Sequence, residues 1–177
     1  MNRYLCLFVI LFTSFTPIIA VSDSSSLVLK DVPTQVCFSP NGGCTAAIVK
    51  ELNAAKSEIL VQAYSFTSAP IAQALVQAHK RGVTVKVILD KSQKKAGYSS
   101  ATFLLNAGIP TFIDSAHAIA HNKVMIIDKE TVITGSFNFT KAAEQKNAEN
   151  LLIIRSQDLA KRYNDNWMNH IDHSVTN

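Results

Sequence analysis

Residues 58–89, EILVQAYSFTSAPIAQALVQAHKRGVTVKVIL, contain two apolar runs separated by an amphipathic stretch. The run 58–66 is predicted to be a strand, and the run 83–89 is rich in β-branched residues, which is typical of a buried strand. Between them, Ser68 is placed to cap a helix and Gly82 to end it. This order predicts two parallel strands of one sheet, joined by a crossover helix.

The flanking sequence continues the alternation of strands and helices. We predict strands at 35–38, 109–113, 123–127, 131–134 and 150–155, and helices at 45–56, 98–107 and after Ser156. Almost nothing separates the strands 123–127 and 131–134, which indicates a hairpin. The expected fold is therefore a single α/β domain with a mixed central β-sheet and helices on both of its faces.

Composition excludes several classes of protein. The chain has 177 residues, of which 47% are hydrophobic and 17% charged, so a sizeable core is expected and disorder is not. Only 6 Gly and 5 Pro argue against collagen-like or low-complexity material. A formal net charge of +4 is compatible with an anionic partner without requiring one.

The first 22 residues have the pattern of a signal peptide. Arg3 precedes an interrupted apolar core, and Ala20 and Ser22 are small residues at positions −3 and −1 of a cleavage site. We predict cleavage after Ser22, which leaves 23–177 as the mature domain. Cleavage after Ala20 and an uncleaved membrane anchor are the alternatives, although the stretch is short for a bilayer span.

Two of the three cysteines remain after such cleavage. Cys37 and Cys44 form an even pair in an exported chain, which predicts one disulfide. A metal or redox pair is the alternative, but the CxxC spacing typical of such sites is absent.

The segment His121-Asn122-Lys123 opens the predicted hairpin. Residues i and i+2 of a strand point the same way, so His121 and Lys123 are expected on one face together with Met125. An imidazole beside a fixed ammonium is suited to an anion, because the ring can attack or protonate while the ammonium stabilises phosphate oxygens.

The hairpin turn decides which residues face this pair. A two-residue turn at 129–130 places His121 opposite Asn138, with Cβ atoms about 5 Å apart. The same register places Lys123 opposite Ser136. Because Lys-Glu is not a favoured two-residue turn, a one-residue bulge that shifts this register remains open.

The polar residues of the hairpin follow the spacing His121-x-Lys123-x4-Asp128-x6-Gly135-Ser136-x-Asn138. This spacing resembles the HKD motif of the phospholipase D superfamily. The size and element order of the chain are similar to those of the small one-motif bacterial endonucleases in that superfamily.

The resemblance implies a role for each motif residue. His121 would attack phosphorus and form a covalent phosphohistidine, while Lys123 and Asn138 hold the phosphate oxygens and Ser136 adds a fourth contact. Glu149 is our candidate for the acidic residue that orients the histidine. Asp128 occupies the aspartate position of the motif and completes the candidate catalytic residues. Because strand alternation points it away from His121, we expect it to fix the end of the hairpin.

The two-histidine mechanism of the superfamily needs two motifs, and this chain has one. The other histidines are not followed two positions later by lysine; they are His79, His117, His170 and His173. The resemblance therefore implies a homodimer in which His121 of each chain meets near the two-fold axis.

Two other interpretations of the histidine and lysine pair were weighed. One is a solvated strand face without function, which the extended motif disfavours. The other is a metallohydrolase: His117 and His121 have zincin spacing, but Ala118 replaces the required glutamate. We therefore expect no metal and no cofactor, with lysine and asparagine supplying the charge stabilisation.

A basic loop follows the strand that ends near residue 89. Lys91, Lys94 and Lys95 are candidate contacts to a DNA or RNA backbone, with Tyr98 close by, and a merely solvated loop is the alternative. Phospholipid hydrolysis and nucleic-acid binding without catalysis are the competing functions. The predicted signal indicates export, to a bacterial periplasm, with no stable membrane association after cleavage.

Overall fold

The computed structural model describes residue 24 and residues 26–95 and 100–176, with only the backbone of Lys95. The predicted signal peptide and Tyr98 lie outside these residues. The described chain forms the expected α/β domain, so the predicted fold class is confirmed.

One mixed sheet of eight strands organises the described chain, in the order β1-β7-β6-β5-β2-β3-β4-β8. The pairs β2–β3 and β3–β4 are parallel and the others are antiparallel. The strands are β1 Thr34–Ser39, β2 Glu58–Ala63, β3 Thr84–Asp90, β4 Thr111–Asp114, β5 Lys123–Ile127, β6 Thr131–Gly135, β7 Glu149–Arg155 and β8 Val175–Thr176.

Helices cover both faces of the sheet. They are α1 Cys44–Ala54, α2 Ala69–Lys80, α3 Ser100–Asn106, α4 Lys141–Gln145 and α5 Gln157–Ile171, and a 3-10 segment spans Lys91–Lys95. The larger core lies between α1, α2 and one sheet face, whereas α5 packs on the other face around Trp167. None of the described helices combines the length and apolar character needed to cross a bilayer.

The strand–helix–strand unit at the centre of the sequence is confirmed. β2 and β3 pair in parallel and α2 connects them. Ser68 occupies the N-cap position of α2, although its side chain makes no capping bond there. At α5 the predicted cap is complete, because the Ser156 hydroxyl accepts a hydrogen bond from the Leu159 amide at 3.2 Å.

The hairpin β5–β6 has a different turn from the expected one. Ile127 pairs with Thr131, so three residues separate the paired positions rather than two. Asp128 and Lys129 both adopt left-handed backbone, with φ of 52° and 59°, and the Glu130 amide donates to the Ile127 carbonyl. The predicted register was therefore wrong by one residue.

This shift changes the expected partners of the motif residues. The ladder is regular up to Met125 and Ile133, and its continuation would place Lys123 opposite Gly135 rather than Ser136. His121 precedes β5, so it is not a strand residue opposed to Asn138. The one-residue shift that the unfavourable Lys-Glu turn left open is the arrangement found, and long-range contacts of Asp128 stabilise it.

Cys37 and Cys44 are neighbours in the structure, but they are free thiols and the predicted disulfide is not formed. The turn between β1 and α1 brings the two side chains into hydrogen-bond contact. Burial raises the pKa of Cys44 to about 12, which disfavours the thiolate that disulfide formation requires.

We predict that export into an oxidising compartment closes this pair. A ring of this size stabilises a fold by about 2.5 kcal/mol in the chain-entropy description. The oxidised protein should therefore have a higher urea midpoint than the same protein in reductant, and a Cys37→Ser variant should not respond to reductant. Complete alkylation of both thiols in exported protein would contradict the prediction.

Candidate active site

The Tyr64 ring brings the motif histidine and lysine together. Tyr64 follows β2, and its amide donates to the Asn122 carbonyl at 2.8 Å, which extends the pairing of β2 with β5. The His121 ring lies 4.5 Å from the Tyr64 ring, centroid to centroid, and the Lys123 ammonium lies 5.0 Å from the same centroid. His121 and Lys123 thus both contact the Tyr64 ring at the end of β2.

Lys123 is a buried cation, with 6% of the residue exposed. Its ammonium donates to the His121 carbonyl at 2.8 Å, which holds the backbone of the histidine. Burial lowers the pKa of Lys123, and the Glu149 carboxylate acts in the opposite direction. A desolvated ammonium beside an exposed imidazole is an arrangement that can bind and polarise an anion.

Glu149 makes no hydrogen bond to His121 within one described chain. Its carboxylate accepts a hydrogen bond from the Asn147 amide group at 3.2 Å and acts electrostatically on Lys123. Glu149 opens β7, which is separated from β5 by β6, a distance of about 10 Å across the sheet. Within one chain Glu149 therefore supports the charge of Lys123, and its role in orienting a histidine stays a prediction.

Gly135 is required by a close approach of two backbones. Its φ is 147°, and a Cβ at this position would lie 2.3 Å from the Asn150 carbonyl oxygen. That oxygen accepts from the amides of both Ser136 and Phe137. The Ser136 hydroxyl in turn accepts from the Asn150 amide at 3.0 Å, and the serine remains exposed.

Asn138 carries unmet hydrogen-bonding capacity. Its side-chain Oδ1 is buried and has no partner in the described structure. The next residue, Phe139, bridges to Phe66 in the segment after Tyr64, and its carbonyl accepts from the Ser68 amide. Asn138 is thus held next to the segment that supports His121.

Asp128 has the structural role expected of it. Its carboxylate accepts four hydrogen bonds of 2.8–3.0 Å, from the amides of Lys56, Ser57 and Glu58 and from the Ser57 hydroxyl. Burial acts to raise the pKa of Asp128, but these hydrogen bonds outweigh it and hold that pKa below its usual value. The bonds join the hairpin turn to the start of β2, at the opposite end of β5 from the histidine.

The predicted basic loop lies beside Tyr64. The exposed side chains of Lys91 and Lys94 line an open groove there, together with Ile119 of the segment before His121. The Lys91 ammonium already donates to the His117 carbonyl at 2.8 Å. Lys95 belongs to the same 3-10 segment, so the loop is located at the parallel-strand end of the sheet where α/β proteins bind ligands.

Two residues of this region were not predicted, Tyr64 and Asp90. The Asp90 carboxylate accepts from the amides of Ser92 and Ala120, at 2.9 and 2.8 Å, and so fixes the segment that leads into His121. Both residues stand at the carboxyl ends of adjacent parallel strands, which is the signal that would have singled them out.

Comparisons with known proteins define the class. A family profile described as "Cardiolipin synthase, PLD-like domain" matches residues 48–171, which is most of the chain. The chain is 45% identical over 156 residues to a "Phospholipase D" of Rickettsia felis, covering 88% of the chain and 77% of that protein. The chain belongs to the phospholipase D superfamily and is a hydrolase of that group.

A second curated relative and a solved structure are similar to most of this chain. A "Phospholipase D" of Rickettsia conorii is 49% identical over 133 residues, covering 75% of the chain and 66% of that protein. Among solved structures, the phospholipase D family member Nuc from Salmonella typhimurium is 40% identical, with a TM-score of 0.78. The match covers 83% of this chain and 99% of Nuc, which confirms the expected kinship.

Proposed function

We propose that this protein is a metal-independent phosphodiesterase that cuts DNA with little sequence preference. The observation that carries the proposal is the contact of both His121 and Lys123 with the Tyr64 ring, with Asn138 held by the adjoining segment. These groups offer a nucleophile, a desolvated cation and an amide to one phosphate.

The proposed reaction has two balanced steps. A His121 ring nitrogen attacks phosphorus, the bond from phosphorus to one ester oxygen breaks, and the departing oxygen takes a proton from the His121 of a second copy. Water then attacks the phosphorus, returns a proton to that second imidazole, and breaks the phosphorus–nitrogen bond. Lys123 stabilises the negative charge on the phosphoryl oxygens in both steps.

The surroundings of the site favour a nucleic acid as the substrate. The groove beside Tyr64 is open and carries exposed lysines, which suits a chain of phosphates. Phospholipid headgroup hydrolysis is the second candidate, since two relatives are named "Phospholipase D" and Ile119, 57% exposed, lies at the same groove.

Parallel assays with the purified protein decide between the substrates. We expect it to nick and degrade plasmid DNA in excess EDTA, with circular dichroism showing that the chelated protein stays folded. Vesicles of phosphatidylcholine or cardiolipin should be hydrolysed far more slowly. Hydrolysis of lipid without cleavage of DNA would contradict the nuclease proposal and favour phospholipid headgroup hydrolysis by the same chemistry. Loss of DNA cleavage by a protein that is still folded in EDTA would contradict metal independence.

Lys94→Ala tests the basic groove. Removing one phosphate contact should raise KM for DNA several-fold and leave kcat nearly unchanged. The slope of log KM against the logarithm of the salt concentration should also become shallower by about one. Lys161→Ala is the matched control, because Lys161 is exposed on α5 and pairs with Asp165 at 2.7 Å. If the slope is the same for the two variants, Lys94 does not contact the DNA backbone.

A single motif in each chain leads us to propose an active homodimer. Coexpression of wild type with an equal amount of His121→Asn should leave about a quarter of the wild-type activity, since about a quarter of random dimers carry two intact histidines. Independent sites in each chain would leave about half. The control is coexpression with wild type, and a fully active monomer would contradict the proposal.

We also propose that the protein is exported after cleavage behind Ser22. Amino-terminal sequencing of protein recovered from the periplasm of an expressing bacterium should begin at residue 23. A sequence that begins at Met1 would contradict the proposal.

A further inference from the structure

Four side chains from separate parts of the sequence converge at the carboxyl end of β4. They are Asp114, His117, His170 and His173, and one potential ligand atom from each lies within 4.8 Å of all the others. Asp114 ends β4, His170 stands in the last turn of α5, and His173 follows that helix. The cluster is three strand positions from β5, about 14 Å across the sheet, and takes no part in the site described above.

The spacing of the ligand atoms fits a first-row transition metal. Asp114 is fully buried, and its Oδ2 lies 2.8 Å from His170 Nδ1, 3.0 Å from His117 Nδ1 and 3.4 Å from His173 Nε2. In tetrahedral zinc sites the metal–ligand bonds are about 2.0–2.2 Å, which places neighbouring ligand atoms about 3.4 Å apart. Small shifts of the more exposed imidazoles of His117 and His173 are therefore enough to admit an ion.

The orientation of the three rings supports the same conclusion. Their centroids are 4.9, 5.1 and 5.3 Å apart, and the rings are inclined to one another by 39–65° rather than stacked flat. Each ring directs a nitrogen toward the same carboxylate. A metal ion at the point where these nitrogens converge would use all four groups.

We propose that these residues form a structural Zn²⁺ site. Three neutral imidazoles and one carboxylate suit zinc, and four protein ligands leave no open position for a substrate, which is typical of structural rather than catalytic zinc. The ion would join the end of β4 to the C-terminal segment that forms β8. It would also fix the loop whose His117 carbonyl accepts from Lys91.

Metal analysis of purified, untagged protein tests the proposal. After dialysis against zinc and then buffer, we expect about one zinc per chain, and Co²⁺ in its place should give the visible absorption bands of a tetrahedral complex. Zinc should raise the thermal midpoint of the metal-free protein. Dialysed protein that retains no zinc, or Co²⁺ bands typical of an octahedral aquo ion, would overturn the proposal.

Two variants localise the ion. His173→Asn changes a partly exposed ligand and should fold; loss of one ligand should lower zinc affinity by at least about 100-fold, since loss of a mere supporting contact costs 10–100-fold. His79→Asn removes a histidine of α2 outside the cluster and should bind zinc as the wild type does. Circular dichroism verifies folding of both, and equal zinc affinity of His173→Asn and wild type would contradict the assignment.

Discussion

Substituting His121 by asparagine should lower the rate of DNA cleavage by roughly 10⁴-fold or more, as is usual when a covalent nucleophile is removed. Asparagine keeps a polar side chain of similar reach, but it has no basic ring nitrogen to attack phosphorus. The exposed His121 ring contacts Tyr64, so the fold should tolerate the change. Plasmid cleavage under single-turnover conditions measures the effect.

His79→Asn is the matched control for this prediction. His79 lies on α2 and belongs to none of the groups proposed to bind or cleave phosphate. Its loss should leave the cleavage rate close to that of the wild type. A His121→Asn variant that is folded and retains more than about a tenth of the wild-type rate would show that His121 is not the nucleophile.

Substituting Asp128 by asparagine should lower the free energy of unfolding by about 2–3 kcal/mol, the scale of losing hydrogen bonds to a charged, partly buried group. Asparagine tolerates the left-handed backbone at this position, so the variant isolates the carboxylate. Only one amide oxygen remains to accept bonds from the start of β2, and the amide nitrogen faces an N–H donor. The urea midpoint measures the loss.

Two controls separate this structural role from a catalytic one. Asp165→Asn removes an exposed carboxylate that pairs with Lys161, and should leave the urea midpoint close to that of the wild type. The cleavage rate per folded Asp128→Asn molecule should match that of the wild type. A normal urea midpoint combined with a large loss of turnover would contradict the account of Asp128.

The lowered pKa of Asp128 also sets a pH dependence of stability. The pKa of Asp128 in the folded protein lies below the ordinary value of about 3.9. The contribution of this carboxylate to the free energy of unfolding is therefore complete when the pH is above the ordinary pKa, and it disappears as the pH falls through the folded pKa. The difference in urea midpoint between wild type and Asp128→Asn should therefore be constant near neutral pH and shrink in acid. A difference that grows in acid would have the wrong sign.

Local patterns in the sequence predicted the centre of the fold. The two apolar runs and the intervening helix define β2, α2 and β3, because burial on both faces of a parallel sheet leaves a continuous apolar signature. The helix after Ser156 was likewise predicted, and its Trp167 packs in the core and donates to the Val61 carbonyl at 3.0 Å.

Features that depend on distant contacts could not be predicted in this way. The register of the hairpin depends on Asp128, whose left-handed conformation is supported by bonds to Lys56, Ser57 and Glu58, far away in the sequence. The position of Glu149 depends on the strand order, which places β6 between β5 and β7.

The histidine cluster illustrates the same limit. Only His117 was considered as a metal ligand, with His121, because their spacing along the chain resembles a known motif. The residues that meet it in the structure are His170 and His173, which the end of α5 and the short strand β8 bring against β4. No local pattern encodes that return of the chain.

The central claim, covalent catalysis by His121, is tested most directly by trapping the intermediate. Single-turnover reactions with oligonucleotides labelled at either end, quenched in alkali where phosphohistidine is stable, are followed by digestion and mass spectrometry. The account predicts that one of the two labels is retained, on the peptide that carries His121, and that His121→Asn retains none. Rapid turnover with no labelled protein, or a label on another residue, would contradict it.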